Sequence, residues 1–406
     1  MMKKITALLL ALAMVFALCA CGNGDKDKDK DNDGDKAKIK VGFIFLHDEN
    51  STYDLNFMNA AEAACKNLGV EYVFKKNIPE DQKCYDAAAE LAEEGCNIIF
   101  ADSFGHESYI IEAAKEFPDV QFCHSTGTLA HTEKLSNYHN AFASIYEGRY
   151  LAGIAAGLKL NEMIANGDFT ADEAKMGYVG AFTYAEVISG YTSFFLGARS
   201  VCPSVTMDVT FTGSWYNETA EKEAANTLIK NGCKLISQHA DSMGAPTACE
   251  TAGVPNVSYN GSTVSACPNT FIVSSRIDWT PYYEYAIKAV MNGETIDTDW
   301  TGTLKTGSVV LTDVNEKAAA AGTAEAIADA KAKLEDGSLK VFDITTFTVG
   351  GKQLDSYMAD VDTDKDYTAD TEAVKDGAFL ESTYRSAPYF DVQIDGINLL
   401  DTNFGG

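Results

Sequence analysis

Twice along the chain a short β-branched or aromatic run gives way to an amphipathic helical pattern and then to another such run. "KVGFIFL" (40–46) precedes a helical pattern that Gly69 ends; "EYVFK" (71–75) precedes "EDQKCYDAAAELAEEG"; "NIIFA" (97–101) precedes "HESYIIEAAKEF"; "VQFCH" (120–124) follows. The helical run "YEGRYLAGIAAGLKL" (146–160) closes this first series. The rhythm restarts at Met176 with "MGYVGAF", then "GYTSFFLGARSV", "TMDVTFT" (206–212), "ETAEKEAANTLIKNG", "KLISQ" (234–238) and "NVSYN" (256–260). Apolar runs this continuous, separated by helices, are strands buried on both faces of a parallel sheet. The expected fold class is therefore α/β, with two doubly wound parallel-sheet lobes and a cleft between them. In such sheets ligands sit beyond the carboxyl ends of the strands, where loops lead into helix N-termini.

What precedes Lys40 is not part of that core. Lys3 and Lys4 introduce an apolar stretch, Ile5 to Ala20, too short for a comfortable membrane span and ending in small residues, which reads as a secretory signal over residues 1–20. "LCAC" (18–21) has the order of a lipoprotein cleavage box, with Cys21 as the residue to be lipidated; an ordinary signal peptide cut near Ala20 is the alternative. Residues 21–38 alternate Asp with Lys and carry nothing large enough to nucleate a core, so they read as a disordered tether. Asp29, Asp31, Asp33 and Gly34 imitate half a calcium loop, but Lys40 stands where the bidentate glutamate belongs.

The chain carries a formal charge of −27, and removal of Lys3 and Lys4 with the leader takes it to −29. That argues against nucleic acid as a partner, since its phosphates need a basic footprint. The eight cysteines from Cys65 onward lie singly in helical and strand-like runs with no C-x-x-C spacing, which favours buried free thiols over a disulfide framework.

Chemistry concentrates at the strand ends. After the first strand come His47, Asp48, Ser51, Thr52, Tyr53 and Asp54; after the third, Ser103 and Phe104. The second series adds Glu186, Trp215, His239, Asp241, Tyr259 and Asn260, and "SSRIDW" adds Arg276, Asp278 and Trp279. Rings alternate with carboxylates, amides and hydroxyls, as a small, flat, polar solute requires: ring faces sandwich it and polar groups satisfy its edge. Single Ser, Thr, Asp and Asn residues at such positions also serve as helix N-caps. Catalytic patterns are thin, with no G-x-S-x-G, Walker loop, G-x-G-x-x-G or H-E-x-x-H in the sequence. His124, His131 and His139 have spacings that suit no single helix face or strand. The acidic run 360–372 lacks the glycine of a calcium loop. The expectation is a binding protein, not an enzyme, with no metal and no cofactor.

Several of these segments together resemble the basic membrane protein family of lipid-anchored substrate-binding proteins of ABC transporters, which is related to purine nucleoside receptors. They are "SFG" (103–105), "AKEFPDVQFCHSTG" (114–127), "YEGRYLAGIAAG" (146–157), "MGYVGAF" with "EVISG" (176–190), Trp215 with "EKEAANTLIKNG", "QHADS" (238–242) and "IDWTPYY" (277–283). The resemblance spans residues 38 to about 355 and implies a type I periplasmic-binding-protein fold, hinged by three crossovers. It implies lobe 1 at 39–174 plus about 276–300, lobe 2 at 175–275 plus about 301–350, and a C-terminal extension at 351–406 packed on the lobes.

The resemblance also implies a ligand, a purine nucleoside or base, passed to ABC permease and ATPase subunits at the extracytoplasmic face of a bacterial membrane. It places Asp48 and Thr52 at the base edge, Phe104 and Trp215 as stacking rings, and Asp241 and Asn260 on polar groups. Arg276 lies near a ribose-binding position. Family members carry a stacking ring where this chain has Ser51, so either Tyr53 supplies it or the pocket is open on that side. The remaining readings are a receptor for another aromatic or sugar-like solute, and a ligand-sensing surface lipoprotein without a transporter.

Overall fold

The computed structural model describes residues 39–402, so the leader, Cys21 and the tether lie outside the described residues. The first lobe runs β1 (Lys40–Ile44), α1 (Thr52–Leu68), β2 (Glu71–Lys75), α2 (Gln82–Glu93), β3 (Ile98–Ala101), α3 (Glu107–Glu116), β4 (Gln121–Ser125), α4 (Ala130–Glu133) and β5 (Tyr138–Ala143). Helix α5 (Ile145–Asn166) then leads into β6 (Lys175–Gly180), α6 (Ala185–Val201), β7 (Thr206–Phe211), α7 (Glu218–Lys230), β8 (Leu235–His239), α8 (Gly244–Ala252), β9 (Asn256–Tyr259) and β10 (Phe271–Ile277). After α9 (Thr280–Asn292), β11 (Asp299–Gly302) returns to the first sheet, and β12 (Val309–Leu311) to the second.

The first sheet has the order β11-β5-β4-β3-β1-β2 and is wholly parallel. The second contains β12-β10-β9-β8-β6-β7 and is parallel except where β12 meets β10. The chain thus passes between sheets after β5, after β10 and after β11, giving two doubly wound lobes with their strand ends facing one cleft. The strands read as unbroken apolar runs because helices cover both faces: Val41, Phe43 and Ile44 of β1 are all fully buried.

Helices α5 and α6 pack backbone to backbone. A Cβ added at Gly153 would lie 2.1 Å from the Phe194 carbonyl oxygen, and one at Gly197 would lie 2.0 Å from that of Tyr150. The small residues of "YLAGIAAG" and "FLGA" are therefore notches for the opposing helix, and the uncharged run Tyr150–Gly157 of α5 is buried throughout.

Helix α10 (Thr323–Asp336) packs on α5, and the chain beyond it touches both lobes. Two hairpins, β13 (Met358–Ala359) with β14 (Thr371–Glu372) and β15 (Val374–Lys375) with β16 (Ala378–Phe379), precede β17 (Ile397–Leu399), which adds a parallel edge strand beside β7. On the first lobe, Thr132 donates to the carbonyl oxygens of Asp362 and Asp364, and the Ser386 N–H donates to Asp299 Oδ2 at 2.7 Å. On the second, Ser189 donates to Glu381, and Tyr191 donates to Gln393 Oε1 at 3.0 Å. All eight cysteines of the described residues are buried and free.

Candidate functional site

The site begins at the start of α1. Ser51 is extended (φ −76°, ψ 126°), and its Oγ accepts the Asp54 N–H at 3.1 Å while donating to Asp54 Oδ2 at 2.6 Å. The His47 N–H donates to Asp54 Oδ1 at 2.8 Å, and His47 Nδ1 lies 3.3 Å from Oδ2. Burial pushes the Asp54 carboxyl upward, but the hydrogen bonds from His47 and Ser51 outweigh it and hold the group below its ordinary value. A fixed carboxylate thus anchors the loop between β1 and α1.

Two positions beyond Ser51, Tyr53 turns its ring into the cleft and its hydroxyl donates to the Asp102 carbonyl oxygen at 2.6 Å. Asp102 follows β3, and its Oδ1 accepts the Leu46 N–H at 3.2 Å. Burial and the neighbouring Asp54 carboxylate push Asp102 well above the ordinary carboxylate range. Ser103 donates to Glu80 Oε1 at 2.6 Å, and the same oxygen accepts the Gly105 N–H at 2.8 Å, which orients Phe104 between them. A Cβ at Gly105 would fall 2.5 Å from the Glu80 carboxyl carbon, so a side chain here would displace the Glu80 carboxylate from these hydrogen bonds.

The opposing wall comes from the second lobe. The rings of Phe182 and Tyr184 stack at 5.1 Å, and Phe182 meets Trp215 edge-on at 5.1 Å. Tyr184 reaches across to Phe104 of the first lobe at 5.1 Å, and Tyr216 to His47 at 5.5 Å. His239 packs on Tyr259 at 4.5 Å and faces Glu186 Oε1 from Nε2 at 3.4 Å. Asp241 receives Asn260 Nδ2 at 3.2 Å, with Asn260 held at φ 67°, a left-handed conformation that asparagine tolerates better than most residues. Burial, then the carboxylates of Asp54, Glu221 and Glu186, push Asp241 well above its ordinary value.

Together these groups line one small cavity at the strand ends. Eleven of the residues singled out in the sequence line it: His47, Tyr53, Asp54, Ser103, Phe104, Glu186, Trp215, His239, Asp241, Tyr259 and Asn260. Six do not. Ser51 is fully buried as the α1 N-cap, and Trp279 is buried in the first lobe's core, stacked on Phe57 at 4.5 Å, because it opens α9 where that helix packs on α1. Asp48 turns back on Asn50. Thr52, Arg276 and Asp278 face a separate groove along α1, where Arg276 donates to Asn56 Oδ1 at 3.3 Å. Leu46 and Thr126 also line the cavity. Thr126 was legible from its place just after β4, at the end of the "QFCHS" run.

Two parallel-sheet lobes meeting at their strand ends over a small aromatic and acidic cavity define a two-lobed solute-binding protein of the type I periplasmic-binding-protein fold. The chain belongs to the family described as "ABC transporter substrate-binding protein PnrA-like", whose pattern it matches over residues 45–341. It is 33% identical over 258 residues to a protein of Brucella abortus named a purine-binding protein, covering 62% of this chain and 69% of the relative. Over 223 residues it is 32% identical to a putative ABC transporter glucose-binding protein of Haloferax volcanii, covering 55% of this chain and 53% of the relative. Solved solute-binding proteins share the fold: one from Aeropyrum pernix K1 superposes with a TM-score of 0.63 at 18% identity, covering 75% of this chain and 93% of that one. Another, from Conexibacter woesei, gives 0.61 at 20% identity, covering 74% and 98%. As a substrate-binding protein of an ABC transporter the chain acts outside the cytoplasm on a small-molecule ligand, with permease subunits as partners. Among the described residues no helix is long and apolar enough to cross a membrane.

Proposed function

We propose that the cavity captures a purine base, free or as the head of a nucleoside, and that the protein, anchored through a lipid on Cys21, delivers it to the permease without altering it. The observation that carries this reading is the composition of the wall: the rings of Tyr53, Phe104, Trp215, His239 and Tyr259 interleave with the acceptor groups of Glu186, Asp241 and Asn260. Ring faces supply stacking, and acidic groups match the N–H donors on a purine edge. The purine-binding relative adds support.

The test is thermal stabilisation of the purified protein by adenine, guanine, hypoxanthine and their nucleosides, because a ligand that binds only the folded state adds RT ln(1 + [L]/Kd). A rise in Tm with purines and none with glucose is expected. No shift with any purine at millimolar concentration overturns the assignment. The relative named for glucose makes a sugar the second reading, and a shift with glucose alone selects it. Anchoring is tested separately by metabolic labelling with a fatty acid, which Cys21→Ala abolishes.

A further inference from the structure

Behind the cavity lies a charge that solute capture as described does not use. Arg149, in the first turns of α5, is fully buried, and none of the ion pairs among the described residues includes it. An unpaired buried cation costs several kcal/mol unless its surroundings compensate. Here one amino group (Nη2) donates to the Tyr178 hydroxyl at 2.7 Å and to Ser237 Oγ at 3.1 Å. The other (Nη1) donates to the Ser258 carbonyl oxygen at 3.3 Å and to Ser275 Oγ at 3.4 Å. The guanidinium carbon also lies 5.0 Å from the ring centroid of Tyr259, 5.2 Å from Phe194 and 5.3 Å from Tyr178. Four strands of the second sheet thus converge on one side chain, and Tyr259 separates it from the cavity.

The direction of each proton follows. A guanidinium only donates. The Tyr178 oxygen therefore accepts from Arg149, and its own proton points to its other neighbour, His239 Nδ1, at 3.4 Å. With Nδ1 accepting, the proton of a neutral imidazole sits on Nε2, which faces Glu186 Oε1 at 3.4 Å. The ring is held from behind by Gly190, where a Cβ would come within 2.8 Å of Nδ1.

We infer that Arg149 is a positioning residue of the binding site: through Tyr178 it fixes His239 in the Nε2–H form, so that His239 and Glu186 present a neutral ring and a carboxylate acceptor to the solute. The inference rests on the cavity being the ligand site. Its consequence is selection for solutes that offer N–H or O–H donors to this wall over those that offer carbonyls or negative charge. The groups facing His239 are Glu186 from α6, Arg149 from α5, Tyr178 from β6 and Tyr259 from β9, with Trp215 6.5 Å away and Asp241 two residues on. Burial lowers the affinity of His239 for a second proton; Glu186 opposes this and the Arg149 charge adds to it.

The tautomer is read directly by long-range 1H–15N correlation spectra of ligand-free protein labelled in histidine, with Tyr178→Phe as the comparison because it removes only the hydroxyl. The wild type is expected to show His239 as Nε2–H across about pH 5.5 to 8, and Tyr178→Phe to show a mixture or the Nδ1–H form. An Nδ1–H signal in the wild type, or an unchanged tautomer in Tyr178→Phe, overturns the inference. A calorimetric titration with adenine is expected to weaken about fivefold or more in Tyr178→Phe, the scale of one hydrogen bond of ~1 kcal/mol. Failure of adenine to bind the wild type counts against the purine reading, while the spectra still decide the role of Arg149.

Discussion

The Asp241 carbonyl oxygen accepts two hydrogen bonds from Thr52, from the backbone N–H at 3.0 Å and from Oγ1 at 3.1 Å. The first turn of α1 in one lobe is thereby stitched to the end of β8 in the other, and the structure is a closed form. The same stitch separates the enclosed cavity from the groove that Arg276 faces.

Thr52→Val keeps the shape and the backbone bond but removes the hydroxyl. A net loss of roughly 0.5–1.5 kcal/mol from the closed state is expected, read as a larger radius of gyration in small-angle scattering and a weaker ligand affinity. Unchanged scattering and affinity would show that the bond does not set the lobe equilibrium.

Trp215 and Ser51 separate binding from folding. Trp215→Ala removes a ring that lines the cavity, and loss of one base-stacking face costs ~1–3 kcal/mol of affinity. Ser51→Ala removes the α1 cap and a partner of Asp54, with about 1 kcal/mol lost from stability and little from affinity. Calorimetry paired with thermal unfolding distinguishes the two, and a reversed pattern would place the stacking face elsewhere.

The α5–α6 contact predicts an intolerant position. Gly197→Ala drives a methyl against the Tyr150 carbonyl oxygen, so the helices must separate. A destabilisation of about 1–3 kcal/mol is expected, as for other overpacked cores, measured as a lower denaturant midpoint. Wild-type stability in this variant would mean the helices slide at no cost.

Glu381 of the C-terminal segment makes stability depend on pH. It is buried against Ser189 and Ser382, and burial pushes its carboxyl to about 7. Because the folded value lies above the unfolded one, the folded state holds a proton that the unfolded state releases. This contribution is therefore intact below about pH 4.5, and stability declines as pH rises toward 7 and levels off above it. Glu381→Gln keeps an amide in place of the acid; it is expected to flatten that slope and to be more stable than wild type at pH 8 by up to ~2–3 kcal/mol. An unchanged slope would assign the pH dependence to other groups.

The two sheets, their parallel sense and the location of the site at the strand ends were legible because both follow from local rules: buried parallel strands read as unbroken apolar runs, and loops after such strands open on a cleft. That is why Tyr53, Phe104, Trp215 and Asp241 could be singled out. Which neighbour in a loop faces the cleft was not legible, because adjacent residues point to different sides of a helix turn. Ser51 caps α1 while Tyr53, two positions on, enters the cavity, and Trp279 turns into the core because α9 packs on α1. The chain beyond residue 341 has no such periodic signal, and its edge strand β17 forms only because β7 offers an unpaired edge.

By itself, the sequence determined the α/β class, the two-lobe rhythm and the acidic, aromatic character of the strand ends. Only the tertiary structure decided which of those groups meet, because contact across the cleft joins residues nearly two hundred positions apart, as Thr52 and Asp241 are, and depends on how two separately folded sheets close on each other. The same holds for Arg149, whose hydrogen bonds and position behind His239 exist only once four strands and two helices have packed around it.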